Sequence, residues 1–359
     1  MTGSINPAAA KRLWSIPWDA GFVTAVSFLG SPRKLAAGNE HGDILLWDLP
    51  EQPGNEVPPP RRLLKGHINF VTALAVTPDG RWLISASYDH TVRLWDLSAE
   101  AEGNVAVVME PKQKAQQRAG RKPGEKPPPV QVEQQIEASV RTAHGDWVRG
   151  MSLNGDGTRL LTGDERGLAV LWDIPGGKEL RRWQVPGWLQ GVALSRDAKQ
   201  MATCEFATRY ALFKNAAKLW DPATGEMKAD LSQPCPRAAC AGFSPDGTLV
   251  ATGMGGEWEP ARVCIIDVAT GKKLRELPGH KHGVHSILFH PDGKHLLTSG
   301  RDTCVRIWQI ADGKQVGVLG QPRSGQSSDF IYALSLAPDD VTLATADMGG
   351  LVEVWSLAG

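Results

Sequence analysis

Histidine, hydroxyl and carboxylate side chains recur in this chain, and together they are the residue types of a hydrolytic triad. The two sets are His67, Ser85 and Asp89, and His280, Thr298 and Asp302. In a hydrolase the histidine would take the proton of the hydroxyl, and the acid would orient the histidine. We expect no catalysis, because the set belongs to a repeated pattern and no nucleophile-turn glycines surround Ser85.

Five of the nine histidines lie close together in the sequence, which is one pattern of a metal site. They are His280, His282, His285, His290 and His295. Imidazole is a common zinc ligand. The repeat described below separates them, since His280 belongs to a buried polar set, His290 starts a turn and His295 lies on a strand. We therefore expect neither a metal nor a cofactor.

The composition excludes several classes of protein. Lys plus Arg and Asp plus Glu number 39 each, so no overall field attracts nucleic acid or an anionic membrane. The five cysteines are an odd number without a CxxC motif, which argues against a disulfide framework and favours a reducing compartment. We expect buried, inert thiols. Without a leader-like or membrane-length apolar segment, the chain is expected to be soluble and cytoplasmic.

A short apolar segment recurs seven times and defines a repeat. The copies are residues 23–28, 71–76, 148–153, 189–194, 238–243, 284–289 and 331–336. The third residue of each copy is small and the last is large and apolar, which predicts strands that crowd together at the small residue. A turn, often Pro-Asp-Gly, and three further strands follow most copies. Seven units of four strands predict an all-β, seven-bladed propeller.

The ends of the repeats carry the resemblance to a known family. Third strands end in Trp-Asp, as at Trp95-Asp96, and junctions between units read Gly-His, as at Gly66-His67. These motifs resemble the WD-repeat family over residues 11–357. The resemblance implies that one strand from the far terminus closes the ring. Residues 11–16 are similar to the fourth strand at 180–183, so we expect them to complete blade seven and cover an exposed sheet edge.

We expect a single propeller domain over residues 1–359. The predicted blades are 22–65, 66–142 (with a basic insertion at 99–129), 143–186, 187–234, 235–278, 279–320, and 321–357 completed by 11–16.

The resemblance also implies a buried hydrogen-bonded network that joins the junction His, a Ser or Thr on strand two, the Asp of the next turn and the strand-three Trp. Two blades carry the full set: His67, Ser85, Asp89 and Trp95 in blade two, and His280, Thr298, Asp302 and Trp308 in blade six. In blade three Arg166 stands where Asp belongs, and in blade five Ile266 replaces Trp. We expect complete networks in blades two and six only.

The insertion at 99–129 is strongly basic. Within it, residues 111–129 carry six basic side chains against one acid, Glu125, and no aromatic residue: Lys112, Lys114, Arg118, Arg121, Lys122 and Lys126. Such a segment cannot bury a core, so a solvated insertion is expected. The alternative is an electrostatic arm that docks on phosphate backbones.

In WD-repeat proteins, the face that carries the junctions between units and the turns between strands two and three is the usual recognition surface. The resemblance places the residue before each inner strand on its rim: Phe22, Phe70, Trp147, Trp188, Arg237, Gly283 and Phe330. Five of these seven are aromatic, a type enriched at interfaces. Turns and loops add Tyr88, Trp258 and Arg301. The alternative is that the aromatic residues pack between blades.

We therefore expect a non-catalytic scaffold, monomeric by itself, that binds a protein or peptide on this face. One alternative is a propeller enzyme at the mouth of the central channel, which would need converging carboxylates, histidines or metal ligands. Another is an assembly factor that contacts nucleic acid through the basic insertion. Long loops in blades four, five and seven, at 204–213, 254–260 and 320–329, favour the recognition face.

Overall fold

The fold is built almost entirely from β-strands. A computed structural model describes residues 5–18, 21–54, 56–107, 130–135, 138–206, 216–255, 261–321 and 330–358. These residues form thirty strands and one short 3-10 helix, η1 (Pro7–Ala9). Among them there is no helix of the length and apolar character that crossing a bilayer would require.

The strands form seven sheets, each running from an inner to an outer strand, and all pairs are antiparallel except one in blade one. Blades one to four contain β2 (Val23–Phe28), β3 (Lys34–Asn39), β4 (Ile44–Asp48) and β5 (Arg62–Leu64); β6 (Val71–Val76), β7 (Trp82–Ser87), β8 (Val92–Asp96) and β11 (Ser139–Arg141); β12 (Val148–Leu153), β13 (Arg159–Asp164), β14 (Leu168–Asp173) and β15 (Lys178–Gln184); and β16 (Trp188–Leu194), β17 (Met201–Phe206), β18 (Ala216–Trp220) and β19 (Met227–Asp230). Blades five to seven contain β20 (Ala238–Phe243), β21 (Leu249–Met254), β22 (Ala261–Asp267) and β23 (Lys273–His280); β24 (Val284–Phe289), β25 (His295–Gly300), β26 (Cys304–Gln309) and β27 (Gln315–Gly320); and β28 (Ile331–Leu336), β29 (Thr342–Asp347), β30 (Leu351–Ser356) and β1 (Lys11–Pro17). The predicted all-β, seven-bladed propeller is confirmed.

The small third residue of each inner strand lies where neighbouring blades crowd together. A Cβ added at Gly150 would lie 2.8 Å from the backbone nitrogen of Val192, and one added at Gly191 would lie 2.8 Å from the carbonyl oxygen of Ala239. A bulge precedes this residue in every blade, because the pairing register shifts between the first and third residues of all seven repeat copies. A bulge redirects side chains, so the second residue of each strand is set apart from the regular ladder.

The two ends of the chain meet in blade seven. Strand β1 pairs with β30 in antiparallel register, from Lys11 opposite Ser356 to Pro17 opposite Leu351. Its apolar side chains Trp14 and Ile16 are buried in the core. The predicted closure is confirmed, and it covers the edge that β30 would otherwise expose.

Blade one differs from the expectation, because its sheet has six strands. The added strands are β9 (Gly103–Val107) and β10 (Val130–Gln135), which form a hairpin, and β10 pairs in parallel with β5. The expectation that all of 99–129 is a solvated insertion is wrong for residues 103–107. The basic residues at 112–126 lie outside the described residues.

Both apolar and polar contacts hold this hairpin on blade one. Val132 is buried, and Val105 packs against the same core cluster. The Arg62 guanidinium donates to Glu133 at 3.0 and 3.1 Å and to the Gln135 side chain at 3.1 Å. Valines alternate with other residues on either side of the basic segment, at Val105 and Val107 and at Val130 and Val132, and this alternation is typical of strands.

Candidate functional site

The rim residues and the tips of the turns between strands two and three are joined on one face, called here the top face. In six blades the rim carbonyl oxygen accepts the backbone N–H of the residue at the turn: Phe22 from Glu40, Phe70 from Tyr88, Trp147 from Glu165, Arg237 from Gly255, Gly283 from Arg301, and Phe330 from Met348. In blade four Trp188 is itself the first residue of β16 and pairs with Phe206. The repeat thus places one rim side chain beside one turn in every blade.

Three rings in blades two and three form a continuous stack, called here the aromatic ladder: Phe70, Tyr88 and Trp147. The ring centroids of Phe70 and Tyr88 are 5.3 Å apart, and those of Tyr88 and Trp147 are 4.6 Å apart with an interplanar angle of 14°. Trp147 is 39% exposed, and Ile68 in the preceding junction is 84% exposed. The ladder therefore ends in a large apolar surface open to solvent.

Arg149 contacts two rings of the ladder. It is the bulged second residue of β12, and its guanidinium carbon lies 5.1 Å from the Tyr88 ring centroid and 6.0 Å from that of Trp147. The same guanidinium is paired with the Glu165 carboxylate. Cation–π contacts of this kind contribute about 0.5–1 kcal/mol at exposed sites. The rings are thus held in place before any partner arrives.

Exposed apolar side chains on the top face are concentrated in blades two to four. Among the described residues, the exposed large apolar side chains are Ile68, Trp147 and Trp188 on the top face, and Val140, Leu180, Met227, Leu274 and Val318 on outer strands. Trp188 is 36% exposed and stacks on Phe206 with centroids 6.0 Å apart. A patch of this composition, with neighbouring charges, is typical of a protein-binding surface.

The rim in blades six and seven is more enclosed. Arg301 donates from Nε to His285 Nε2 at 3.3 Å, and its guanidinium lies 5.2 Å from the Phe330 ring centroid. His285 also lies against Tyr332, with centroids 4.7 Å apart. Burial, together with the Arg301 charge, lowers the pKa of His285 to about 3, so its imidazole is neutral near pH 7.

The predicted partner-binding residues therefore differ in accessibility. Trp147 and Trp188 are exposed, whereas Gly283 is buried and Trp258 lies outside the described residues. The remaining predicted residues are half-buried: Phe22, Phe70, Tyr88, Arg237, Arg301 and Phe330. The loop segments at 207–213, 256–260 and 322–329, which supported the recognition face, also lie outside the described residues.

The polar sets in blades two and six form closed networks beneath this face. In blade two, His67 Nδ1 lies 2.8 Å from Asp89, His67 Nε2 lies 2.7 Å from Ser85 Oγ, and Trp95 Nε1 donates to the same oxygen at 2.9 Å. The corresponding distances among His280, Asp302, Thr298 and Trp308 are 2.8, 2.8 and 2.9 Å. Ser85 and Thr298 are fully buried, so no substrate reaches either hydroxyl, and the networks are structural.

The expectation that blade three lacks its acid is wrong. His144 Nδ1 lies 3.0 Å from Asp164, His144 Nε2 lies 2.7 Å from Thr162 Oγ1, and Trp172 Nε1 donates to that oxygen at 2.9 Å. Asp164 is the last residue of β13, two positions before Arg166. Its other oxygen accepts backbone N–H groups of the turn, so the carboxylate both shapes the turn and completes the network.

Blade four has a different hydrogen-bonded set in place of the His–Ser/Thr–Asp–Trp network, and the sequence analysis did not predict it. Trp220 Nε1 donates to Thr203 Oγ1 at 2.9 Å, Thr203 donates to Glu205 at 3.1 Å, and Lys218 Nζ lies 2.7 Å from Glu205. Glu205 lies two residues after Thr203 on the second strand of its blade, as Asp164 lies two residues after Thr162. This equal spacing in the sequence could have identified Glu205. In blade five, Cys235 accepts a hydrogen bond from Thr252 Oγ1 at 2.7 Å.

The cysteines are unpaired thiols. Burial raises the pKa of Cys240 to about 12 and, more than any other cause, raises that of Cys304 to about 11. Protonated thiols of this kind are poor nucleophiles.

Comparison with known proteins agrees with the repeat. The family model described as "WD domain, G-beta repeat" matches residues 59–96, 137–173 and 271–309. The chain is 26% identical to nuclear distribution protein PAC1-1 of Uncinocarpus reesii, over 91% of this chain and 67% of that protein. It is also 26% identical to small ribosomal subunit protein RACK1y of Oryza sativa subsp. japonica, over 82% of this chain and 80% of that protein. A third relative, protein groucho of Drosophila melanogaster, is 26% identical over 59% of this chain and 28% of its own length.

The chain spans about two thirds of the length of the first of these relatives and about a quarter of groucho. None of the three names is that of an enzyme, which agrees with the expectation of a non-catalytic protein.

Proposed function

We propose that the chain, a WD-repeat propeller by its seven blades and by the three segments that the family model matches, is a scaffold that binds a protein or peptide on its top face, over blades two to four. The observation that carries this proposal is the aromatic ladder, which ends in the exposed ring of Trp147. The exposed side chains of Ile68, in the junction that enters blade two, and of Trp188, in blade four, lie on the same face. The proposal narrows the surface from the whole rim to three neighbouring blades.

The physical basis is preorganisation. Trp and Tyr bury a large area with few rotatable bonds, and binding loses affinity for every side chain that must first be immobilised. Stacking and the Arg149 contact already immobilise the ladder. Beside it, Arg166 pairs with Asp146 at 3.1 Å, which gives the patch a charged margin of both signs. An apolar centre with a polar margin is the usual arrangement of a protein interface.

We also propose that the protein is cytoplasmic and is a monomer until it binds a partner. Five unpaired cysteines support a reducing compartment. The relative named as a small ribosomal subunit protein supports a role within an assembly.

A binding experiment with a matched control tests the proposal. Trp147→Ala combined with Trp188→Ala removes the exposed rings of blades three and four, and should abolish capture of partners that wild-type protein retains from a lysate of its own source. Leu180→Ala combined with Met227→Ala removes exposed apolar side chains of the same two blades, but from outer strands. Partners kept by the ring variant, or lost equally from the control, would contradict a top-face site.

The nucleic-acid alternative requires a separate variant, because the hairpin that brackets the basic segment docks on the outer edge of blade one. Replacing residues 108–129 with Asn-Gly removes all six basic side chains and supplies the two-residue turn that β9 and β10 need in order to stay paired. A salt-sensitive gel shift that disappears in this variant would favour the assembly-factor alternative. No shift with either protein would favour the protein-binding scaffold.

A further inference from the structure

The turn between the first and second strands of a blade lies on the face opposite the top face, and an aspartate organises it. In three blades a hydroxyl donates to this aspartate: Thr77 to Asp79 at 2.5 Å, Ser195 to Asp197 at 2.7 Å, and Ser244 to Asp246 at 2.6 Å. The same carboxylate oxygen accepts a backbone N–H two residues later. Each of these contacts joins a donor to an acceptor.

Blade six differs from these three blades, because His290 stands at the position of the hydroxyl residue and Asp292 at that of the aspartate. Its Nε2 lies 2.6 Å from the carbonyl oxygen of Asp340, in the corresponding turn of blade seven. A carbonyl oxygen only accepts, so Nε2 donates, and Nδ1 accepts the backbone N–H of Asp292 at 3.2 Å, which requires a lone pair on Nδ1. That Nδ1 lies 3.1 Å from Asp292 Oδ1. Two acceptor atoms, each of which also accepts a backbone N–H, therefore lie side by side where those three blades place a donor and an acceptor.

A second histidine completes the group. His295, the first residue of β25, places Nδ1 2.7 Å from Asp292 Oδ2. One ligand atom from each of the three residues can be chosen so that all lie within 4.8 Å of one another. The His290 side chain is fully buried, while those of Asp292 and His295 are 17% and 19% exposed. The group is thus anchored on its inner side and open to solvent on its outer side.

We propose that His290, Asp292 and His295 bind a divalent metal ion of the zinc type on the face opposite the partner-binding surface. Two imidazole nitrogens and one carboxylate oxygen are a ligand set that zinc accepts, and a water would fill the fourth position. Zinc–ligand bonds of about 2.0–2.1 Å place tetrahedral ligand atoms about 3.3 Å apart, close to the present spacing of His290 and Asp292. A cation between the facing acceptors removes their repulsion.

The surroundings favour the same role. A metal-binding histidine usually donates its other ring N–H to a carbonyl or carboxylate, as His290 does to Asp340. Binding of the ion would replace two hydrogen bonds. One runs from the Asp292 N–H to His290 Nδ1 at 3.2 Å, and the other joins His295 Nδ1 to Asp292 Oδ2 at 2.7 Å. The ion would tie the turn of blade six to that of blade seven.

Metal uptake by the tag-free, full-length chain tests the proposal after chelator treatment. Dialysis against Zn²⁺ should load about one ion per chain, and Co²⁺ should give the visible absorption of a four-coordinate site. His295→Gln and, separately, Asp292→Asn should each abolish this uptake. Asp292→Asn retains an oxygen for the backbone N–H groups of Lys294 and His295, so the turn is expected to persist.

Two control variants separate this site from unspecific binding. Asp246→Asn makes the same change in the blade-five turn, which has no histidine, and His41→Gln removes an exposed histidine elsewhere. Both should load like the wild type, and circular dichroism would show that all variants are folded. If the folded wild type takes up no zinc or cobalt, the proposal is wrong. Unchanged loading of His295→Gln and Asp292→Asn would also overturn it.

Discussion

Trp47→Phe and Trp95→Phe remove the same indole group from corresponding positions of adjacent blades, and we expect them to change stability by different amounts. Both side chains are completely buried. Trp95 Nε1 donates to Ser85 Oγ at 2.9 Å, whereas Trp47 Nε1 has no hydrogen-bond partner among the described residues. Blade one has Ala37 at the position of Ser85, so the acceptor is missing.

The surroundings of the two rings are otherwise matched. Trp47 has an edge-on neighbour in Trp18, with centroids 6.0 Å apart, and Trp95 has one in His67 at 6.2 Å. The cost of the lost ring volume is therefore similar in both blades. What differs is the indole N–H. Its hydrogen bond in blade two contributes about 1 kcal/mol, while a buried donor without a partner costs about 1–3 kcal/mol. Trp95→Phe should therefore lower the free energy of unfolding by about 2–4 kcal/mol more than Trp47→Phe.

Equilibrium urea unfolding followed by circular dichroism measures this difference, provided that the denaturant dependence of the two variants is the same. A companion variant checks the cause. Ala37→Ser supplies an acceptor and should stabilise the wild type but not Trp47→Phe, since the donor is then absent. Equal losses from the two Trp variants, or a larger loss from Trp47→Phe, would refute the reasoning.

Removing residues 1–17 should lower the melting temperature and cause aggregation, because β30 becomes an open edge; an unchanged, soluble variant would argue against closure as a source of stability. Burial alone would raise the pKa of Asp302, but hydrogen bonds, chiefly from His280, outweigh it and lower the pKa to about 2. Stability from this group is complete above the unfolded pKa of about 4 and is lost as the pH falls towards 2, so Asp302→Asn should flatten that part of an acid-unfolding curve. Asp164→Ala should cost about 1–3 kcal/mol in urea unfolding, and Arg166→Ala within about 0.5 kcal/mol. A larger loss from Arg166→Ala than from Asp164→Ala would support the network position that the sequence assigned to residue 166.

The sequence by itself determined the number of blades and the inner strands, because both depend on a repeat that recurs in register. The closure of the ring joins distant segments and was implied by the resemblance to the family. A small residue at Gly150 and Gly191 is required wherever inner strands crowd, so the requirement appears in every copy. The aromatic rim followed from the same register, because it is a fixed distance from each inner strand.

Only the tertiary structure decided which of these residues meet. The Asp164 carboxylate, at the end of β13, lies 3.0 Å from His144 Nδ1 in the folded blade. Sequence spacing alone assigned the acid's position to Arg166. The hairpin of blade two lies on blade one, a parallel pairing between distant segments that no local periodicity encodes. His290 is held by a carbonyl oxygen of the next blade, so its ring orientation depends on the closed ring. Contacts between blades arise from the packing of whole sheets, and that packing is not a property of any short segment.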